Sequence, residues 1–485
     1  MRPGPIGLAL AAGLGAALLL AACTVGPDYV RPGVATPAPD AYKELDGWKV
    51  AQPTDDTLRG AWWELFGDPG LASLEAQVDV SSQTVAAAEA QLRQARALVQ
   101  AARASYFPTI TVGLGFTRSR QSATVGTSTF SAGRTTSTFQ LPIDVSWEPD
   151  LWGRIRRSVE SSRASAQASQ ADLETARLSI QAEVAQDYFQ LRAVDAERAL
   201  LDATVTAYQR SLELTRNRYA SGVASRADVL QAETQWKTTQ AQAVDLGVQR
   251  AQLEHAIALL VGQPASGFAL PVASLTAEPP GIPVGLPSAL LERRPDVAAA
   301  ERRVAAANAQ IGVAEAAYFP TVTLSVSGGL ESGSLSRWLT WPSRFWSVGP
   351  GISQTVFDGG LRKAQTDEAR AAYDQTVAAY RQAVLTGFKE VEDNLAALRI
   401  LEEEARVQDE AVAAARQTVT VVTNQYRAGT VSYLDVVVAQ TTTLTDERAA
   451  VDIRARRMAA AVLLIKGLGG GWDASRLSAT EDPAK

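Results

Sequence analysis

The sequence predicts a mainly α-helical chain that also carries membrane-type β-strands, one architecture built twice. Three observations predict it: a leader at the N-terminus, apolar/polar alternation in segments of about ten residues, and an internal repeat. The repeat is plainest in Arg218-Tyr219-Ala220-Ser221-Gly222-Val223-Ala224-Ser225-Arg226-Ala227-Asp228-Val229. It returns as Gln425-Tyr426-Arg427-Ala428-Gly429-Thr430-Val431-Ser432-Tyr433-Leu434-Asp435-Val436. Tyr, Gly, Ser, Asp and Val recur at a spacing of about 207 residues. In each copy a Gly suited to ending one helix precedes a Ser suited to capping the next, so each reads as the tip of a long helical hairpin.

The leader, residues 1–22, has Arg2 followed by an apolar run and then Leu20-Ala21-Ala22-Cys23. The run is too short and too terminal for a membrane span and reads as a secretory signal. The single Cys after Leu-Ala-Ala resembles a bacterial lipobox, which implies cleavage before Cys23 and a covalent lipid on its thiol. Thr24 stands where inner-membrane lipoproteins typically carry Asp, so that resemblance implies an outer-membrane address. No later stretch offers eighteen consecutive apolar residues, so any crossing is by strands.

Composition removes several function classes. With 46 Lys+Arg against 52 Asp+Glu and a net charge of −6, there is no reason to expect a nucleic-acid partner. One Cys and one His leave no disulfide framework and no Cys/His metal cluster within the chain. There is no P-loop, G-x-S-x-G elbow or HExxH, and no base for a triad, so an enzyme is not expected. His255 reads as a satisfied structural residue at an apolar helix end.

Residues 23–70 are rich in Pro, Gly, Asp and aromatics and read as an extended segment. Trp62-Trp63-Glu64-Leu65-Phe66-Gly67-Asp68-Pro69 reads as a clamp that packs it onto the helices. The first repeat spans 71–263. A helical run from Leu71 to about Ser105 ends at Tyr106-Phe107-Pro108-Thr109, because Pro disfavours helix at the residue before it. The same words return as Tyr318-Phe319-Pro320-Thr321 after a second helical run beginning near Pro295.

A β-hairpin is expected over 109–148, with Ile110, Val112, Leu114 and Phe116 on one face and Thr109, Thr111, Gly113 and Gly115 on the other. A second is expected over 321–357. Five of ten Trp (147, 152, 338, 341, 346) lie near strand ends, as in an interfacial girdle. Pro142 and Pro350 are awkward in strands. Ser/Thr/Gly-rich loops at 117–137 and about 331–344 join the strands.

Long helices follow, from about Gly153 to Ser221 and from about Leu361 to Ala428. Each is long enough for roughly 100 Å. Val377, Tyr380, Val384, Phe388, Val391, Leu395 and Leu398 step by threes and fours, and Leu173, Ile180, Val184, Tyr188 and Leu191 do nearly the same, which describes a coiled-coil seam. Return helices run from Ser225 to Leu260 and from Ser432 to Leu468. A Pro-rich linker spans 264–287, the second repeat 288–470, and a tail 471–485.

One chain supplies four spanning strands, and a sheet cannot leave open edges in hydrocarbon. Two chains give eight strands, whose interior side chains fill; three give twelve and leave a lumen. The expected assembly is a homotrimer with a 12-stranded outer-membrane β-barrel continuing into a 12-helix periplasmic α-barrel.

Five motifs in order then carry a resemblance over nearly the whole chain: Cys23-Thr24-Val25-Gly26-Pro27-Asp28-Tyr29, the Trp62–Pro69 cluster, Glu254-His255-Ala256-Ile257-Ala258, Leu291-Glu292-Arg293-Arg294-Pro295-Asp296-Val297, and the two tips. The chain resembles TolC-like outer-membrane efflux lipoproteins of the OprM/NodT type. The resemblance implies an exit duct for drugs or other small toxic compounds, no cofactor beyond the lipid on Cys23, and contact with outer-membrane lipids. It also implies a periplasmic adaptor and an inner-membrane pump of the RND type as partners.

By the same resemblance, Asp435, Asp228, Tyr426 and Tyr219 fall at the periplasmic gate. Gly222, Val223, Ala224, Ser225, Gly429, Thr430, Val431 and Ser432 fall at the tips that touch the adaptor. Each residue also has a plainer reading: Ser225-x-x-Asp228 and Ser432-x-x-Asp435 resemble capping boxes, and the tyrosines can simply pack at hairpin ends. Val431 stands where the family can carry an Arg, a departure at the latch. The other class of function left open is a pore-less, lipid-anchored periplasmic spacer or adaptor-binding protein.

Overall fold

A computed structural model describes residues 25–33, 42–44, 60–120, 122, 124, 135–282 and 290–478. The signal segment, Cys23 and Thr24, most of the 117–137 loop, the end of the linker and the last residues of the tail lie outside the described residues. The chain divides into two units. One takes residues 1–32, 93–168 and 301–379, and the other takes 33–92, 169–300 and 380–485.

In chain order the elements are α1 Pro69–Ser81, α2 Gln83–Ala104, β1 Thr109–Val112, β2 Gly115–Arg120, β3 Thr135–Trp147, α3 Arg154–Ala220 and α4 Arg226–Leu260. They continue with α5 Leu290–Arg293, α6 Pro295–Ala316, β4 Thr321–Ser332, β5 Arg344–Ser353, α7 Leu361–Ala428, α8 Tyr433–Gly467 and α9 Ser475–Ser478. The single helix expected from Leu71 to Ser105 is two, because Ser82 takes an extended conformation between α1 and α2. No described helix is long and apolar enough to cross a membrane.

The first unit is organised by an antiparallel sheet in the order β1-β3-β4-β5, with β2 also paired to β3. β1 and β2 meet β3 in one continuous register, Thr109 opposite Ser146 through to Arg120 opposite Thr135, so they are one interrupted strand. The interruption at Gly113 and Leu114 has a cause in β3. Gly113 N–H donates to the Pro142 carbonyl at 3.0 Å, but Pro142 has no N–H to return the bond. On its other side Pro142 faces Gly329, where a Cβ would run into the Leu141 carbonyl. Pro350 sits in β5, which pairs only with β4 among the described residues, so its missing donor costs no ladder bond within the chain.

Residues 26–29 are held to this unit. Arg157 donates to the carbonyl of Gly26 at 3.1 Å and to the Asp28 carboxylate at 2.9 Å, while Asn308 donates to the Pro27 carbonyl at 3.0 Å. Tyr29 O–H donates to the Glu301 carboxylate. Gly26, at φ +97°, lies so close to the Gly312 backbone that a side chain at position 26 has no room.

The second unit is held by helix seams. Tyr380, Val384, Val391, Leu395 and Leu398 of α7 are buried, as are Leu173, Val184, Tyr188 and Leu191 of α3. Trp62 is 1% exposed, and Phe66 packs on Phe189 at 5.0 Å. Asp68 caps α1 by accepting from Gly70 N–H and Leu71 N–H, and also accepts from Tyr188 O–H at 2.8 Å. One carboxylate thus starts a helix and ties it to α3. The linker is fastened by Arg192, which donates to the Pro271 carbonyl at 2.6 Å, and by Arg250, which donates to Leu270 O at 2.7 Å and to Asp195 at 2.8 Å. Arg294 joins Asp296, Glu390 and the Gly467 carbonyl, which gives its motif a structural task.

Glu75 of α1 is fully buried, and neither carboxyl oxygen has a hydrogen-bond partner among the described residues. Burial pushes its carboxyl up to about 9, with the Asp79 charge adding to the rise. The folded-state value is raised, so stability is full below the ordinary carboxylate range and is progressively lost as pH rises from there to about 9. Glu75→Gln is expected to flatten that slope and to stabilise the fold at pH 8 by on the order of 1–3 kcal/mol. Thermal unfolding at pH 5 and pH 8 checks it; equal effects at both would show that Glu75 ionises freely.

Candidate functional site at the hairpin tips

Both tips are built by local hydrogen bonding. At the first, α3 closes with Gly222 N–H to Tyr219 O at 2.9 Å and Val223 N–H to Arg218 O at 2.9 Å. At the second, α7 closes with Gly429 N–H to Tyr426 O and Thr430 N–H to Gln425 O, both at 3.0 Å. Gly222 and Gly429 sit at φ +77° and +80°, and no backbone or side-chain atom crowds Gly222. The left-handed backbone, rather than space, requires the glycine there.

Both return helices begin with a Ser–Asp capping box, and the side chains bond differently in the two. Ser225 Oγ accepts from Asp228 N–H at 3.1 Å, and Asp228 accepts from Ser225 N–H at 2.8 Å, a reciprocal box. At the second tip Ser432 N–H and Ser432 O–H both donate to Asp435 Oδ2, at 2.9 and 2.7 Å. The Ser432 hydroxyl, followed by the Ser432 amide, holds the exposed Asp435 carboxyl below the ordinary carboxylate range. This carboxylate contact is therefore present above that range and lost only as pH falls through the depressed value. Asp435 also lines an open groove of about 320 Å³ with Ala415, Thr418, Val422, Val438, Ala439 and Thr442.

The two tips of one chain meet through a cluster in which Tyr426 is 5% exposed, packed with Tyr433, Leu212, Ala232 and Val436. The Tyr426 and Tyr433 rings stand edge to face at 5.4 Å. Arg218 places its guanidinium 4.7 Å from the Tyr426 ring centre and donates to the Arg427 carbonyl at 3.0 Å. It is both a cation–π partner and a hydrogen-bond bridge from α3 to α7. Val431, half-buried, adds to the apolar side of the cluster.

The structure separates the two tyrosines that the repeat equates. Tyr426 is buried while Tyr219 is 46% exposed. Gly222 to Ala224 and Gly429 to Thr430 are at the chain's tips, with Val223 and Thr430 exposed. His255 is exposed on α4 rather than packed at an apolar helix end. Arg218, Tyr433 and Trp236 enter the cluster without having been singled out. Their signal in the sequence was asymmetry between the copies, since Arg218 aligns with Gln425 and Tyr433 with Arg226.

Arg218→Ala is expected to loosen the tips from one another by removing the ring contact and the bridge. Hydrogen exchange of the Val422–Gly429 amides should quicken about tenfold. Unchanged exchange would show that the apolar cluster alone holds them.

The sequence matches the family described as outer membrane efflux protein, over residues 76–263 and again over 286–470. It is 32% identical over 469 residues to the pyoverdine export outer membrane protein OpmQ of Pseudomonas aeruginosa, covering 96% of this chain and 97% of that one. It is 32% identical to the toluene efflux pump outer membrane protein TtgF of Pseudomonas putida, covering 94% and 95%. Among solved structures, the outer-membrane channel OprN superposes with a TM-score of 0.86 at 32% identity, over 93% of this chain and 100% of that one.

Proposed function

The chain belongs to the outer membrane efflux protein family, whose members are efflux channels and not enzymes, and from that premise we propose that it is the outer-membrane exit duct of a tripartite efflux pump. The observation that carries this reading is the sheet, whose outer edges at β1/β2 and β5 have no strand partner among the described residues. Unpaired backbone groups are costly in hydrocarbon, so three chains close twelve strands into a barrel with a lumen. The polar face of Thr109, Thr111, Asp144 and Ser327 lines that lumen and the apolar face meets lipid. Each repeat contributes two strands and a long helical hairpin, and the hairpins form the periplasmic tube.

The signal segment delivers the chain across the inner membrane, and the lipid on Cys23 anchors it in the outer membrane. The tip residues Gly222, Val223, Ala224, Ser225, Gly429, Thr430, Val431 and Ser432 receive a periplasmic adaptor, which joins the duct to an inner-membrane pump of the RND type. Cargo is selected by that pump. OpmQ and TtgF carry the names of pyoverdine and toluene, which supports small organic molecules as cargo here.

Three Asp435 carboxylates ring the periplasmic entrance, with Asp228, Tyr426 and Tyr219 around them. A carboxylate ring attracts cations and repels anions. The purified, lipidated protein is expected to show a small, cation-preferring conductance in planar bilayers. Asp435→Ala should remove that preference and widen the conductance several-fold, and lowering the pH of the wild type should abolish the preference only below the ordinary carboxylate range. A wide pore indifferent to the substitution would reduce Asp435 to a helix cap. No conductance from folded, inserted protein would leave the pore-less spacer.

A further inference from the structure

The strand registers sort the sheet's charges by face. Successive residues of a strand point to opposite faces, and directly paired residues share one. Phe116 pairs with Phe139, Val112 with Ile143, Val145 with Val326, and Val326 with Val348, which defines the apolar face. Arg118 pairs with Ser137 and Arg120 with Thr135, each in step with Phe116 and Phe139. Arg344 pairs with Leu330, which pairs with Leu141. The described strands contain five charged residues. All three arginines lie on the apolar face, and both carboxylates, Asp144 and Glu331, lie on the other.

The arginines are also sorted along the strands. Arg118 and Arg120 end the strand that leads away from α2, and Arg344 begins the strand that leads toward α7. The other end of the sheet carries Ile110, Val322 and Ile352 on the same face and no charge. All three arginines are exposed, and none has a carboxylate partner among the described residues. Arg344 lies 3.8 Å from the ring centre of Trp341, a residue of the aromatic belt.

We propose that this end of the apolar face is a docking site for the phosphate groups of an anionic, phosphorylated glycolipid in the outer leaflet. The proposal rests on the reading of the sheet as part of a membrane barrel with its helices in the periplasm. An arginine that faces lipid is costly at mid-bilayer and nearly free at an interface, so a strand end is where these arginines are permitted. The apolar rows below would take acyl chains while the arginines above take phosphate, and a planar guanidinium matches a phosphate with two parallel hydrogen bonds. The counter-charge that the protein withholds then comes from the lipid headgroup.

The test measures binding of fluorescent diphosphoryl lipid A to the full-length, lipidated channel in maltoside micelles, with dephosphorylated lipid A and inorganic phosphate as the other probes. The wild type should prefer the diphosphoryl form by at least about tenfold, and R118Q/R120Q/R344Q should lose that preference while keeping its conductance. Equal binding by wild type and variant overturns the proposal, as does complete displacement by millimolar inorganic phosphate, which would assign the arginines to the free ion. Should the triple variant not fold, the wild type's own discrimination between the two lipids decides. A wild type that conducts without preferring the phosphorylated lipid overturns this proposal alone; one that neither inserts nor conducts overturns the barrel reading beneath it.

Discussion

The constraint on which the rest depends is that backbone N–H and C=O groups cannot be left unpaired in hydrocarbon. Within one chain, β3 and β4 are paired on both sides, while the outer edges of β1/β2 and β5 are not. A strand edge of this kind is either an aggregation hazard or an assembly instruction. In the proposed duct it is the latter, and the other features follow from it: a chain that needs partners, a polar face that can enclose water, and an apolar face that must not. The break between β1 and β2 falls where Pro142 cannot return a hydrogen bond.

The long helices answer a different demand. A helix of 67 or 68 residues does not keep its place on propensity alone, and these two carry buried seams. Loose segments are tied to them by charge-assisted hydrogen bonds: Asp68 to Tyr188, Arg192 and Arg250 to the linker carbonyls, and Arg294 to Glu390 and Gly467. Such contacts are short, directional and partly desolvated, which suits fixing a segment in one register. At the far tips the style changes. A cation over a ring, one hydrogen bond to a carbonyl and a small apolar cluster join the hairpins, a lighter fastening than the seams.

Much of this was legible in the sequence because it is periodic or repeated. The seams, the Tyr-Phe-Pro-Thr corners, the strand alternation and the two glycine turns each follow from a local rule. What was not legible depends on partners distant in sequence. Pro142 made sense only once Gly113 and Gly329 were seen on either side of it. The repeat equated Tyr219 with Tyr426, yet Arg218 and Tyr433 surround only the second. Ser82 breaks a helix that composition would have continued, and His255 faces outward where the apolar context predicted packing. The sorting of arginines to one face and carboxylates to the other needed the registers, because a shift of one residue would have exchanged the faces.

Closure of the sheet between chains is the central claim, and a cysteine panel across the free edges tests it most directly. One cysteine replaces Thr109 or Thr111 and the other Ser347, Gly349 or Gly351, all on the polar face, so that the panel covers the register between neighbouring chains. After oxidation of the membrane-inserted protein, at least one pair should give a reducible covalent trimer and no larger species. Covalent dimers alone, a ladder beyond three, or monomers from every pair in folded and inserted protein would contradict the account.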